Sequence, residues 1–235
     1  MRLSFVIPAH NSAAWLNAAV ESCLGQTYKD IEIVIVNDAS TDSTPDYLAW
    51  LAKQGHGEKL KIISNEINLG RSASRNIGNR AASGDVLLVL DADDVAAPRR
   101  AELTAAKFKK GAVFVHGACH RMDAVRRDMG LMETDVFNRE KALETLTNRI
   151  VHSTVAYSRE FADKYPYPES GDAARLGLDD WACFIAAAMD GVKFDFIPSP
   201  IAAYRDGVGI SSNRDEAEVL KFKKEFLAKL TAVPA

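Results

Sequence analysis

Three carboxylic acids follow one short apolar run in this chain. Residues 86–90 read VLLVL, and Asp91, Asp93 and Asp94 come directly after them. Two carboxylates about 5 Å apart repel each other by roughly 3 kcal/mol at an effective dielectric constant of about 20, so we expect a cation nearby. Mg²⁺ or Mn²⁺ would suit an Asp-x-Asp pair, because both prefer oxygen ligands and often keep substrate phosphates as further ligands. The alternative is a solvated acidic turn that caps the next helix.

Two other polar groups follow predicted strands or turns. The carboxylate of Asp38, after the run IEIVIV, can accept a hydrogen bond from a base N–H, or can cap the helix that follows together with Ser40. Arg71 and Arg75 lie near the start of a predicted helix beside a glycine turn. Arginines in that position can pair with a phosphate or a base carbonyl, although a solvated helix face is the more common setting.

A further acidic pair stands at Asp179 and Asp180, at the start of a predicted helix. One carboxylate there is favoured by the helix dipole by about 0.3–1 kcal/mol, which is sufficient reason for a cap. The functional alternative is a general base that takes a proton from an acceptor hydroxyl. Two adjacent acids exceed what one cap requires, and this favours Asp180 as a base.

The elements that position these residues alternate between strand and helix through residue 115. Apolar runs predict strands at 3–7, 31–36, 60–63, 86–90 and 112–117. Helical spacing and capping residues predict helices between them, including one over 74–82 and one opened by Pro98. This alternation predicts an α/β fold whose mostly parallel sheet carries helices on both faces. Ligands in such folds bind at the carboxyl ends of the strands, where the acids lie.

The second half of the chain is less regular. It predicts a helix within 140–150, a strand at 152–158, a long loop at 165–177, a helix at 179–191 and an extended segment at 193–204. Residues 214–230 have the spacing of an amphipathic helix, with Val219, Phe222, Phe226 and Leu230 on one face. We expect this half to pack on the same sheet.

Composition excludes several classes of protein. The 235 residues are 47% hydrophobic and 26% charged with a net charge of −3, which is typical of a globular domain. Since there is no basic run, we expect no nucleic-acid partner. Three widely separated cysteines predict reduced core residues rather than a zinc site or disulfides. No stretch resembles a signal peptide or a membrane span, which predicts a cytoplasmic protein.

Five segments together resemble glycosyltransferase family 2, the inverting transferases with the GT-A fold. They are FVIPAHN at 5–11, SCLGQTYKDIEIVIVNDASTDST at 22–44, NLGRSASRNIGNRAASGDVLLVLDADD at 68–94, LDDW at 178–181 and YRDGVGISS at 204–212. The likeness is dense over the first 100 residues and faint from about 110 to 175. His10 stands where the family usually has tyrosine, Asn37 replaces the first acid of a usual Asp pair, and Asp179 replaces glutamate.

The resemblance implies a role for individual residues. A nucleotide pocket would be lined by Pro8, Ala9 and His10, with Asp38 in contact with the base and Arg71 near the base or phosphates. Asp91 would hold sugar or ribose hydroxyls, and Asp93 would coordinate Mn²⁺ or Mg²⁺. Asp180 would be the catalytic base, and the diphosphate would be covered by Arg205 and Ser211. It also implies a nucleotide-sugar-binding half at 1–115, an acceptor-binding and catalytic-base half at 116–213, and a C-terminal helix and tail at 214–235.

The implied activity is inverting transfer of a sugar from a nucleoside-diphosphate sugar to a hydroxyl of a glycan or lipid-linked glycan, in polysaccharide or glycolipid synthesis. UDP is the favoured nucleotide, with GDP and dTDP as alternatives. A non-catalytic sugar-nucleotide-binding module is the rival from another class. A sugar-phosphate nucleotidyltransferase usually has a glycine-rich basic loop after the first strand, but PAHNSAAW contains neither glycine nor lysine; no GxGxxG follows that strand either, which argues against a Rossmann dehydrogenase.

Lysines flank the apolar stripe of the C-terminal helix, at Lys221, Lys223, Lys224 and Lys229. One alternative is a helix docked on the core with its lysines in solvent. The other is peripheral contact with an anionic membrane, which would place the protein at the inner face.

Overall fold

Parallel strands with intervening helices occupy the first half of the chain, as expected. The computed structural model describes residues 1–147, 149–207 and 215–232. Its strands in those ranges are β1 (Leu3–Ala9), β2 (Ile31–Asp38), β3 (Leu60–Asn65), β4 (Val86–Val89), β5 (Val95–Ala96), β6 (Phe114–Met122), β7 (Asp128–Leu131), β8 (Ala156–Ser158) and β9 (Phe194–Arg205). The predicted Ser211 lies outside the described residues.

All nine of these strands belong to one sheet. The order is β3-β2-β1-β4-β8-β6-β9-β5, and β7 pairs with β6. The pairs β3–β2, β2–β1, β1–β4 and β6–β9 are parallel, whereas β8 runs antiparallel to both β4 and β6. Consequently six of the nine described strands run in one direction, and the predicted mostly parallel α/β sheet is confirmed.

The helices cover both faces of the sheet. They are α1 (Leu16–Leu24), α2 (Thr44–Leu51), α3 (Arg71–Ala81), α4 (Arg100–Phe108), α5 (Arg139–Thr145), α6 (Arg159–Lys164), α7 (Gly171–Arg175), α8 (Asp179–Met189) and α9 (Glu216–Ala232). Along β1, Phe5 and Ile7 pack in the cluster that contains α1, α2 and α4, while Val6 packs in the cluster that contains α8. This alternation follows from the two-residue period of a strand.

The approach of α3 to the sheet depends on a small residue. A Cβ atom on Gly78 would lie 2.5 Å from Val6 Cγ1 and 3.3 Å from Val36 Cγ2. The helix begins after Gly70, whose φ of +87° is in the range that favours glycine. Together these glycines bring the start of α3 down onto the carboxyl ends of β1 and β2.

Three details of the second half differ from the sequence predictions. The predicted strand at 152–158 is a strand only over Ala156–Ser158, because His152–Thr154 forms a 3-10 turn. The predicted loop at 165–177 contains α7, and the helix predicted within 140–150 ends at Thr145. The second half packs on the same sheet, as expected, and residue 115, the expected limit between the two halves, lies inside β6.

The C-terminal helix α9 docks on α8. Its half-buried side chains Val219, Phe222, Phe226 and Leu230 pack against the cluster around Trp181. Lys223 donates a 2.8 Å hydrogen bond to the carbonyl of Leu146 and lies over the Trp181 ring. The predicted apolar stripe therefore covers part of the protein core. Within the described residues, no helix is long and apolar enough to cross a membrane.

Candidate functional site

The first strand ends in residues that border the second strand end. Pro8 and Ala9 close β1, and the exposed His10 follows them. Its Nδ1 lies 2.7 Å from the backbone carbonyl of Asp38, so this nitrogen carries the proton. Because β1 and β2 are parallel neighbours, their carboxyl ends lie side by side, and the structure brings these predicted residues together.

Asp38 is buried and organises the loop that precedes α3. Its Oδ1 accepts hydrogen bonds of 2.8 Å from the Leu69 amide and from the Asn65 side chain, and its Oδ2 accepts one of 2.8 Å from the Gly70 amide. A carboxylate oxygen has two lone pairs, so Oδ2 keeps acceptor capacity. The contact of Asp38 with a base therefore stays a prediction that this geometry allows.

The cation expected beside the acidic strand end is an arginine. Arg75 Nη2 donates to Asp91 Oδ1 and Arg75 Nη1 donates to Asp179 Oδ2, both at 2.7 Å. Arg71 Nε donates to Asp179 Oδ1 at 3.0 Å. One guanidinium thus joins the end of β4 to the start of α8, which are 88 positions apart between Asp91 and Asp179.

This network fixes the charge of two acids. Burial opposes the charge of Asp91, but Arg75 and His152 outweigh it, and the pKa of Asp91 is far below its ordinary value. Burial likewise opposes the charge of Asp179, and Arg75 and Arg71 hold the pKa of that carboxyl below its ordinary value. Both side chains are therefore carboxylates at neutral pH.

Asp93 differs from Asp91 because no cationic side chain of the described residues pairs with it. Among the described residues its half-buried carboxylate forms no ion pair, and burial together with the charge of Asp91 raises its pKa to about 6. A hard divalent cation would relieve this repulsion, and carboxylate oxygen is the ligand that such ions prefer. In the described part of the chain no group of three or more His, Cys, Asp or Glu side chains forms a metal cage. The carboxylate of Asp93 fits a divalent-cation site in which substrate phosphates would supply the other ligands.

Arg205 supports the backbone beside this acid. Its guanidinium donates to the carbonyls of Asp93 at 2.8 Å, Asp123 at 3.0 Å and Ala124 at 2.7 Å, and stacks over the Trp15 ring at 4.3 Å. The side chain is fully buried. The expected closure of Arg205 over a diphosphate consequently has no support from this geometry, because the guanidinium is committed to backbone carbonyls.

Asp180 stands in the first turn of α8, directly after the buried Asp179. It is half-buried, and its Oδ1 accepts a 2.7 Å hydrogen bond from the Trp181 amide. In the part of the chain that the structure describes, Oδ2 accepts no hydrogen bond. This leaves one carboxylate oxygen able to meet a hydroxyl, as a general base requires.

Three residues that complete the group have partners that the sequence does not predict. The sequence offers Arg75, together with Arg71, as a partner of a phosphate or a base carbonyl, and offers Asp179 as a helix cap. His152, whose Nδ1 lies 3.7 Å from Asp91 Oδ2, was not singled out. The acidic doublet was the available signal, because the structure buries Asp179 in an ion pair and leaves Asp180 half-buried with one oxygen that accepts no hydrogen bond from the described residues.

The larger cavities lie away from this group. One of about 520 Å³ is lined by β5, the ends of β6 and β9, and Arg126. Another of about 530 Å³ lies where α4 and α8 end, beside Lys110 and Lys193. The candidate site is formed by the strand ends and the starts of α3 and α8.

Comparison with known proteins identifies the family. The model described as "Glycosyl transferase family 2" matches residues 4–165, more than half of the chain. The chain belongs to glycosyltransferase family 2. The match includes the strand ends at Ala9, Asp38 and Asp91 but stops before Asp179 and Asp180.

Curated relatives are similar over different lengths. An uncharacterized glycosyltransferase of Nostoc sp. is 31% identical over 82% of this chain and 62% of its own length. An uncharacterized glycosyltransferase of Haemophilus influenzae is 27% identical over 98% of this chain and 92% of its own. The succinoglycan biosynthesis protein ExoO of Rhizobium meliloti is 37% identical over 42% of this chain and 27% of its own. The chain thus spans less than two thirds of the Nostoc relative.

Solved structures confirm the GT-A fold. S. aureus TarS in complex with UDP-GlcNAc superposes with a TM-score of 0.68 at 18% identity, covering 98% of this chain and 72% of TarS. The mannosyltransferase PcManGT of Pyrobaculum calidifontis, in complex with GDP-Man and Mn²⁺, gives 0.67 at 17% identity and covers 100% of this chain and 65% of PcManGT. At these identities the likeness concerns the fold alone.

Proposed function

We propose that this protein is an inverting glycosyltransferase that moves a sugar from a nucleoside-diphosphate sugar to a hydroxyl acceptor. One observation carries the proposal. Arg75 bridges Asp91 at the end of β4 and Asp179 at the start of α8, so the acidic strand end and Asp180 belong to one site. A site with a donor-side acid and a separate base is what a single displacement needs.

The donor side is formed by strand ends. Pro8, Ala9 and His10 would line the nucleotide, and the remaining lone pair of Asp38 Oδ2 would accept a hydrogen bond from a base N–H. Asp91, held as a carboxylate, would accept hydrogen bonds from sugar or ribose hydroxyls. Asp93 would hold Mg²⁺ or Mn²⁺. When bound, the cation would supply charge neutralisation to the departing nucleoside diphosphate.

Asp180 performs the proton transfer in this proposal. Its Oδ2 takes the proton of the acceptor hydroxyl while the hydroxyl oxygen of the acceptor forms a bond to the anomeric carbon. On the opposite face of the sugar, the bond between the anomeric carbon and the diphosphate oxygen breaks. The anomeric centre inverts in that one displacement. No carboxylate of the chain has to form a covalent bond to the sugar.

The proposed donor and acceptor classes are supported by what the relatives' names describe. A curated relative acts in succinoglycan biosynthesis, and two structural neighbours hold UDP-GlcNAc or GDP-Man. These support a nucleotide-sugar donor, UDP-linked or GDP-linked, and a glycan or lipid-linked glycan acceptor in polysaccharide synthesis. A cytoplasmic location, at or away from the membrane, stays a prediction.

The test is a transfer assay with UDP- and GDP-sugars in the presence of Mn²⁺, using the wild-type chain and Asp180→Asn. The expected result is transfer by the wild type, a loss of more than a hundredfold in Asp180→Asn, consistent with general-base contributions of about 10²–10⁴, and unchanged donor binding. Asp190→Asn, at the other end of α8, is the matched control and should keep activity.

Three outcomes would contradict the proposal. Donor binding without transfer by the wild type would favour a non-catalytic binding module. Release of pyrophosphate from a nucleoside triphosphate and a sugar phosphate would favour a nucleotidyltransferase. Equal loss in Asp180→Asn and Asp190→Asn would remove Asp180 from the base role.

A further inference from the structure

A buried chain of hydrogen bonds ends at His152, whose ring faces Asp91. Asn79 Nδ2 donates to the Tyr157 hydroxyl at 3.1 Å, and that hydroxyl donates to the Tyr167 hydroxyl at 3.2 Å. The Tyr167 hydroxyl lies 2.9 Å from His152 Nε2, and His152 Nδ1 lies 3.7 Å from Asp91 Oδ2. All these side chains except that of Asp91 are at least nine-tenths buried.

The single proton of the Tyr157 hydroxyl has two acceptors in reach, the Tyr167 hydroxyl at 3.2 Å and Asn79 Oδ1 at 3.4 Å, and the shorter contact favours Tyr167. Tyr167 accepts from Tyr157, so its own proton is available to His152 Nε2. Since a carboxylate only accepts, His152 carries its proton on Nδ1, facing Asp91. With the Tyr157 proton on Tyr167, the hydrogen bonds from Tyr157 to His152 are aligned and strengthen one another. Asp91 Oδ1 is held separately by Arg75, so each of its two oxygens faces a different donor.

Tyr167 is itself fixed from two sides. Asn76 Nδ2 donates to its carbonyl at 2.8 Å and its amide donates to Asn76 Oδ1 at 3.1 Å. The Arg75 guanidinium lies 5.5 Å from its ring centroid, and the His152 ring meets that ring edge-on. The segment that leads to α7 and α8 is therefore tied to α3 through Tyr167, and also through Glu169, which accepts a 2.9 Å hydrogen bond from Asn76.

We propose that His152 is a positioning residue for the transfer, because it orients the carboxylate of Asp91 and is itself oriented by the Tyr167 hydroxyl. The inference rests on the proposed function, in which Asp91 binds the sugar part of the donor. It predicts that the hydrogen bonds from Tyr157 to His152 control the orientation of the donor sugar and do not affect the affinity for the nucleotide.

The test compares Tyr167→Phe with Tyr165→Phe. The first removes the hydroxyl that holds His152 but keeps the ring beneath Arg75. The second removes a hydroxyl that bonds to the exposed Asp190 and lies outside the chain, so it is the matched control. His152→Leu removes both ring nitrogens, and His152→Gln keeps a donor and an acceptor.

Two readouts are expected to change. Transfer from the sugar nucleotide should fall about ten- to a hundredfold in Tyr167→Phe and His152→Leu, as for residues that orient a ligating group. It should fall less in His152→Gln and stay unchanged in Tyr165→Phe. The Kd of the nucleoside diphosphate without sugar should be the same in all four variants. Nitrogen-15 NMR of the imidazole should show protonated Nδ1 in the wild type, with the Nε2 signal shifted only when Tyr167 changes.

The outcomes separate the two proposals. If the wild type transfers sugar and Tyr167→Phe matches Tyr165→Phe in rate, the role of His152 is wrong and the proposed function stands. An equal loss of nucleoside-diphosphate affinity and of transfer would also refute positioning, because it would indicate general damage to the site. If the wild type transfers no sugar, both proposals fail, whatever the NMR signals show.

Discussion

Asp179→Asn should destabilise the protein strongly. The carboxylate of Asp179 is fully buried and accepts hydrogen bonds from both Arg71 and Arg75. Breaking a buried ion pair costs about 3–5 kcal/mol, because the remaining charge is left uncompensated. In the variant, the side chain of Arg71, which is 30% exposed, can be hydrated, and Arg75 keeps Asp91 as a partner. The expected loss of unfolding free energy is therefore about 3 kcal/mol, at the low end of that range.

Urea and thermal unfolding measure this effect. A loss of about 3 kcal/mol should lower the Tm by roughly 6–12 °C for a chain of this size. The control is Asp172→Asn, whose exposed pair with Arg175 is worth at most about 1 kcal/mol. Since the pKa of Asp179 is lowered in the folded state, the wild-type advantage should hold at neutral pH and shrink as the pH falls below 3.8. A difference under about 1 kcal/mol at pH 7 would refute the importance of this network.

Three further changes test other parts of the fold. Glu32→Gln should lower the unfolding free energy by about 1–3 kcal/mol, because the buried carboxylate accepts hydrogen bonds from Ser4, Ser83 and Gly84. Since the pKa of Glu32 is lowered in the folded state, the stability difference between wild type and variant should narrow below pH 4.5. Equal urea midpoints for the two proteins at neutral pH would contradict this prediction. Gly78→Ala should cost about 1–3 kcal/mol through its clash with Val6, and an unchanged Tm would show that α3 can move away. Phe226→Ser should lower the unfolding free energy by about 1–2 kcal/mol if α9 covers Trp181, whereas loss of liposome pelleting without loss of stability would indicate a membrane-binding helix.

The first half of the fold was predictable because its strands are buried on both faces. The run IEIVIV has no polar face, and all eight residues of β2 are buried. The second half was predicted less well, because its short elements depend on tertiary contacts. His152–Thr154 has the composition of a strand, but it turns where the His152 ring meets Tyr167 and Phe184.

In the candidate site, the types of the functional residues were predictable from the sequence, but their partners were not. The residue types at the strand ends indicated an acidic site that needs a positive charge. The sequence did not say which arginine supplies it, because the partner of Arg75 lies 104 positions away at Asp179. Arg205 was assigned to a diphosphate because of its motif, but carbonyl partners at the end of the neighbouring strand β6 decide its position. Such pairings arise from topology, which short motifs do not encode.

The central claim is that Asp93 binds a divalent cation that holds the donor diphosphate. Calorimetric titration of UDP and GDP with and without Mn²⁺, on wild type and Asp93→Asn, tests it most directly. We expect Mn²⁺ to tighten binding of one nucleotide at least tenfold in the wild type, equal to about 1.4 kcal/mol, and to have no effect in Asp93→Asn. Nucleotide binding that is equal with and without Mn²⁺ in both proteins would contradict the claim.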